Sequence, residues 1–129
     1  MPTVLLIEDN EQNRYLATFL LELNGYRVIA ERDGPQGIET ARSLRPDLIL
    51  LDIQLPTMDG YAVASALRDI ESLQQAPIVA VTSYAMAGDR ERALAAGCNG
   101  YVEKPIDPDT FVSEIEAICA AHGIPERRA

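Results

Sequence analysis

The run Leu48-Ile49-Leu50-Leu51 is apolar at every position and ends abruptly in a carboxylate, Asp52. Pro46 and Asp47 precede it, and Pro56 and Gly60 follow closely. A strand that alternates apolar and polar residues has one wet face. A strand apolar throughout has none, and belongs in a parallel sheet covered on both sides. In open α/β sheets the reacting groups gather outside the carboxyl ends of such strands. Asp52 stands at such an end, which makes it the first candidate functional residue.

Four more segments read as strands, so that the five in order are Thr3–Glu8, Tyr26–Glu31, Asp47–Asp52, Pro77–Thr82 and Gly100–Glu103. Helical spacing fills the gaps between them. Tyr15, Leu16, Phe19, Leu20 and Leu23 mark a first helix, which Gly25 stops in a left-handed conformation. Ile38, Ala41 and Leu44 mark a second, which must end before Pro46 because the residue preceding proline avoids the helical region. Val63, Leu67 and Ile70 mark a third, with Asp59 as its N-cap. Ala93, Leu94 and Ala96 form a short fourth helix closed by Gly97. The fifth opens with Asp107 as cap and Pro108 at its first position, and its apolar face runs Phe111, Val112, Ile115, Ile118 and Cys119.

Strict alternation of strand and helix with short loops implies a parallel sheet with helices on both faces. Right-handed crossovers bring the carboxyl end of every strand to one edge. The expected fold is a doubly wound five-stranded α/β sheet of order 2-1-3-4-5, with strands one and three adjacent at the switch point. The domain is expected to span residues 1–122, followed by a short tail over 123–129.

The chain of 129 residues is of single-domain size, and with 47% hydrophobic residues and no Trp its core must be aliphatic. No apolar run is long enough to cross a membrane, and no secretory signal opens the chain, so a cytoplasmic location is expected. A net charge of −9 argues against direct nucleic-acid binding. Cys98 and Cys119 have no metal or redox spacing and read as small buried helix residues. Arginines supply the positive charge, with Lys104 as the single lysine.

In this order the sheet edge collects Glu8 and Asp9 from strand one, Asp52 from strand three, Thr82 and Ser83 from strand four, and Lys104 from strand five. Carboxylates brought together repel one another unless a cation intervenes, and one lysine is too little. A hard divalent cation resolves the deficit, and a few carboxylates with water suit Mg²⁺ better than a full Ca²⁺ cage. The same edge has no histidine or cysteine for zinc. A dication, an ammonium and a hydroxyl form a cradle for a transferring phosphoryl group, and a remaining carboxylate can accept it as an acyl phosphate. Whether Asp9 or Asp52 is the acceptor is left open by this reasoning.

The motifs Ile7-Glu8-Asp9-Asn10, Asp52 through Met58-Asp59-Gly60, Val81-Thr82-Ser83 and Tyr101-Val102-Glu103-Lys104-Pro105 fall in a distinctive order and spacing. Through them the chain, from residue 3 to about 122, resembles the receiver domain of bacterial two-component response regulators. The resemblance implies that Asp52 is the phosphoacceptor. It implies that Asp9, Asp52 and the backbone carbonyl of Gln54 hold Mg²⁺, with Glu8 acting through water. Lys104 would pair with the phosphoryl group, Thr82 would hydrogen-bond it, and Tyr101 would turn inward as Thr82 moves. Gln54 and Tyr84 would flank the path of hydrolytic water and tune dephosphorylation, and the bond to Pro105 would be cis. Glu8 stands where Asp is more frequent.

The resemblance also implies a phosphohistidine donor, either a sensor histidine kinase or a histidine phosphotransfer protein, and a downstream protein target. With Leu16, Phe19, Leu20 and Leu23 expected inward, Arg14, Ala17 and Leu21 would lie outward and dock a helical donor. His122 reads as a favourable charge near a helix C-terminus, and Asp89-Arg90-Glu91-Arg92 as a solvated face. The chain is expected to catalyse only its own phosphorylation and dephosphorylation. Three readings compete with this switch. An aspartyl-phosphate phosphatase usually has a second acid where Gln54 stands, and a flavin binder needs a Gly- or Ser-rich first loop in place of this acidic one. A degenerate receiver, acting as a constitutive interaction module, would not need Asp9, Asp52, Thr82 and Lys104 together.

Overall fold

A computed structural model describes residues 2–56, 58–83 and 88–121. The chain alternates β1 (Thr3–Ile7), α1 (Glu11–Leu23), β2 (Arg27–Glu31), α2 (Gly34–Leu44), β3 (Leu48–Asp52), α3 (Gly60–Arg68), β4 (Ile78–Thr82), α4 (Asp89–Ala95), β5 (Gly100–Glu103) and α5 (Phe111–Ala121). All strand pairs are parallel, and the sheet order is β2-β1-β3-β4-β5, as the alternation requires. The register sets Leu51 beside Ile7 and Ala80, and Asp52 beside Val81.

Because side chains alternate across a strand, the apolar runs feed two cores. Val4, Leu6, Leu48, Leu50, Val79 and Val102 face one side, covered by Ala17, Leu20 and Leu21 of α1 and by Phe111, Val112 and Ile115 of α5. Leu5, Ile7, Ile49, Leu51, Ile78 and Ala80 face the other, covered by Ala41 of α2, Val63, Ala64 and Leu67 of α3, and Ala93 of α4. Every residue of β3 is buried. Burying one such leucine side chain is worth about 1.5–3 kcal/mol, so the central strand anchors the whole sheet.

Local chemistry starts and stops the helices. Asn10, Asp33 and Asp59 cap α1, α2 and α3, their side chains accepting from Asn13, Gln36 and Tyr61 backbone N–H groups at 2.8, 2.9 and 3.1 Å. Gly25 ends the turn after α1 with φ 92°, and Arg45 takes the left-handed conformation with φ 54° immediately before Pro46. Arg68, at the end of α3, donates to the carbonyls of Gly97, Leu73 and Ala76 at 2.8, 2.8 and 2.6 Å and to Asn99 Oδ1 at 2.7 Å. Asn99 Oδ1 also accepts from Ile78 N–H at 2.8 Å. This guanidinium therefore keys the start of β4 to the start of β5.

Four expectations are corrected. Of the expected inward face of α1, Leu20 is buried and Leu16 packs against the core, but Phe19 and Leu23 are not inward. Ala17 and Leu21 are buried, with Leu21 0% exposed, while Tyr15, Phe19 and Leu23 are 73%, 51% and 70% exposed. The helix is apolar around most of its circumference, and the face carrying small Ala17 lets it lie close against the sheet. Docking through Ala17 and Leu21 is thereby overturned, and Arg14 is turned to loop carbonyls described below. α5 begins at Phe111, because Asp107 first closes a turn in which its Oδ1 accepts from Asp109 N–H at 2.9 Å and its carbonyl from Thr110 N–H at 3.2 Å. α3 ends at Arg68, which leaves Ile70 outside it, before a short 3-10 turn over Glu71–Leu73. Cys98 is buried as expected but precedes β5 outside any helix, whereas Cys119 lies in α5. The readings of His122 and the tail 123–129 lie outside the described residues.

Candidate functional site

Five of the expected residues meet at the carboxyl edge of the sheet. Asp52, the last residue of β3, and Glu8, just past β1, are 1% and 3% exposed, whereas Asp9 faces solvent. Carboxylate oxygens of Glu8, Asp9 and Asp52 lie within 4.8 Å of one another. Lys104 reaches in from the end of β5, its Nζ 3.0 Å from Glu8 Oε1 and 3.2 Å from Asp52 Oδ2. Thr82, the fifth, is buried at the end of β4, where its carbonyl accepts from Lys104 N–H at 2.8 Å. The Lys104–Pro105 bond is cis, as expected.

The two oxygens of Asp52 differ. Oδ1 accepts from the backbone N–H of Gln54 at 2.8 Å. Oδ2 is buried, faces the lysine ammonium and receives no directed hydrogen bond from the described residues. An oxygen placed this way keeps its lone pairs available beside a positive charge.

Burial, reinforced by the hydrogen bond and charge of Asp52, pushes Glu8 up from 4.5 to about 7 against the opposing pull of Lys104. Burial works against the charge of Lys104, but Asp52 and Glu8 outweigh it and hold the ammonium above its usual value. The lysine therefore stays charged, and Glu8 is the group that yields to crowding. The crowded carboxylates present a donor set made only of oxygen, which suits a hard dication.

Several residues around the site make contacts that the sequence did not indicate. Arg14 Nη1 donates to the carbonyls of Glu8 and Asp9 at 3.0 and 3.2 Å, bracing the acidic loop from α1. Gly60 lies so close to the loop after β3 that an added Cβ would stand 2.4 Å from Ile53 Cα and 2.7 Å from its carbonyl oxygen. That approach explains the glycine of the Met58-Asp59-Gly60 motif. Gln54 Oε1 accepts from Ser83 N–H at 3.3 Å, linking the loops after β3 and β4. Tyr101 on β5 is half-buried against the core beneath α2–α4 and pairs with Ala80 in the sheet. Tyr84 lies outside the described residues.

Residues 4–116 match the response regulator receiver domain family. The chain is 44% identical over 115 residues to the polar-differentiation response regulator DivK of Brucella anthropi, covering 89% of this chain and 94% of that protein. In three dimensions it resembles the chemotaxis protein CheY4 of Vibrio cholerae with a TM-score of 0.88 at 26% identity, over 92% of this chain and 98% of that one. It also resembles the receiver domain of sensor histidine kinase PA1611 from Pseudomonas aeruginosa PAO1, with a TM-score of 0.82 at 36% identity, over 95% and 98% of the two chains. That receiver was solved with a magnesium ion coordinated in its active site cleft.

Proposed function

The chain belongs to the response regulator receiver domain family, and we propose that it is a phosphoacceptor switch in which Asp52 takes a phosphoryl group from a phosphohistidine. The observation that carries this reading is the asymmetry of Asp52, with Oδ1 held by Gln54 N–H and Oδ2 buried beside Lys104 without a directed hydrogen bond. Oδ2 is the nucleophile: a bond forms from it to phosphorus as the P–N bond of the donor breaks. The histidine nitrogen leaves with the electron pair. Lys104, held charged by its two carboxylates, meets the negative charge of the transferring group. Thr82 hydrogen-bonds the acyl phosphate after a small shift, and Tyr101 turns inward behind it.

The oxygen donors Glu8, Asp9 and Asp52 fit Mg²⁺, and the magnesium-bound Pseudomonas receiver supports the same choice. Asp9, Asp52 and the backbone carbonyl of Gln54 would hold the ion, with Glu8 acting through water. When bound, Mg²⁺ supplies charge neutralisation for the phosphoryl oxygens. Gln54 and Tyr84 hold the sequence positions that would tune how fast water ends the modified state. The chain acts on no other substrate, catalysing only the gain and loss of its own phosphoryl group.

The donor is a sensor histidine kinase or a histidine phosphotransfer protein, and the modified form binds a downstream protein with changed affinity. The apolar ridge Tyr15, Phe19 and Leu23 runs along α1 on its exposed side and offers that donor a footing. None of the helices among the described residues is long and apolar enough to cross a membrane. We place the protein in the cytoplasm, with protein partners rather than nucleic acid.

The test is incubation with Mg²⁺ and acetyl phosphate, followed by mass spectrometry of the intact chain and of Asp52→Asn. A phosphoryl adduct on the parent that disappears in the variant is expected. An adduct that persists in Asp52→Asn would overturn the assignment.

A further inference from the structure

Gln54 touches both the acceptor and the loop that follows β4. Its backbone N–H is 2.8 Å from Asp52 Oδ1, and its side-chain Oε1 is 3.3 Å from Ser83 N. Ser83 is the first residue beyond the end of β4. Up to that point the neighbouring strands hold the chain: Ile53 N–H donates to Val81 O at 3.1 Å and Lys104 N–H to Thr82 O at 2.8 Å. At Ser83, among the described residues, the backbone N–H meets instead a neutral amide oxygen on a side chain.

We propose that Gln54 is a strap: a positioning residue that holds Ser83, and through it Thr82, in the unmodified protein and releases it when Asp52 is phosphorylated. The proposal rests on the reading of Asp52 as phosphoacceptor. Its driving force is a competition between acceptors. Hydrogen bonds to an anionic oxygen are shorter and roughly twice as strong as those to a neutral one. The Gln54–Ser83 bond, at 3.3 Å, is longer than the usual 2.7–3.2 Å, so it is readily exchanged for a stronger acceptor. A phosphoryl group on Asp52 brings anionic oxygens to the same sheet edge, and Ser83 N–H changes partner. No covalent chemistry beyond phosphorylation is needed. Because Gln54 is bonded to Asp52 as well, the residue being modified and the contact being released share a single anchor.

Two variants test the strap. Gln54→Leu removes the acceptor at similar size, and Gln54→Asn keeps the amide on a side chain too short to span the gap. Exchange of the Ser83 amide hydrogen is followed by NMR in Mg²⁺ buffer, with and without beryllofluoride as the phosphoryl mimic. Without the mimic, both variants are expected to exchange Ser83 about 2–10-fold faster than the parent, the range set by one ordinary hydrogen bond. With it, all three should protect Ser83 equally, and the variants should bind the mimic more tightly by a similar factor. Unchanged exchange in the free variants overturns the strap, as does equal loss of protection with and without the mimic. A parent chain that does not bind beryllofluoride sinks the phosphoacceptor reading instead, and exchange in the free protein still decides the strap.

Discussion

Glu8 Oε1 and Lys104 Nζ form a direct ion pair of 3.0 Å at the carboxyl edge of the sheet, and the same Nζ lies 3.2 Å from Asp52 Oδ2. The lysine is thus held between Glu8 and the proposed phosphoacceptor, Asp52. A glutamate, one methylene longer than aspartate, makes this reach from β1 toward β5 in a direct contact. In the proposed reaction the ammonium would be positioned before any phosphoryl group arrives, which would remove a reorganisation step.

Replacing Lys104 by Met should remove that preorganised charge. Labelling by acetyl phosphate is expected to slow about 100-fold, the usual loss on deleting one transition-state donor. The initial rate of adduct growth in mass spectra, at matched Mg²⁺, measures this. A rate within a factor of two of the parent's would remove Lys104 from the chemistry.

Glu8 makes stability depend on pH in a definite direction. Its folded value of about 7 lies above the ordinary 4.5, so between those values the folded state keeps a proton that the unfolded state has released. Stability contributed by this group therefore falls as pH rises through that window, is full below it and is lost above it. Urea denaturation in chelator at pH 5 and pH 8 should show the parent losing stability relative to Glu8→Gln, which stays neutral throughout. A constant difference between the two proteins would contradict the assignment.

The two sides of α1 predict opposite outcomes for similar substitutions. Leu21 is fully buried, and a charge placed there should unfold the domain. Phe19 is half-exposed on the ridge with Tyr15 and Leu23. Phe19→Glu should leave the melting temperature nearly unchanged, slow transfer from a phosphohistidine donor and spare labelling by acetyl phosphate. Equal slowing with both donors would show that the ridge does not dock the donor.

Gly60→Ala should disturb the acceptor without touching it. The new methyl would press on the Ile53 backbone, next to Asp52, and overpacking of this kind costs about 1–3 kcal/mol. A lower urea midpoint together with slower acetyl phosphate labelling is expected. Parent-like behaviour in both would mean that the loop yields freely.

The sheet was legible because β3 and β4 are apolar at nearly every position, a pattern with few structural solutions, and because Gly25 and Pro46 punctuate the helices between them. Asp52, Lys104 and Thr82 were legible for the same reason: once the strand order is known, their places at the strand ends follow. The face of α1 was not. Leu16, Ala17, Phe19, Leu20, Leu21 and Leu23 offer two apolar stripes, and only contact with the sheet selects the one bearing Ala17. The start of α5 was obscured because Asp107 caps a turn as readily as a helix. Contacts that depend on reach across the sheet, such as Glu8 to Lys104, Gln54 to Ser83 and Arg68 to Asn99, leave no periodic trace in a sequence.

Lys104 has a further consequence that follows from its being the only lysine in the chain. Apart from the N-terminal amine, the one target for an amine-selective reagent lies inside the proposed phosphorylation site, partly screened by Glu8 and Asp52. The protein thus carries a built-in chemical reporter. The rate at which a small acylating probe marks that one amine reads how open the site is, in the unaltered polypeptide and without an introduced label.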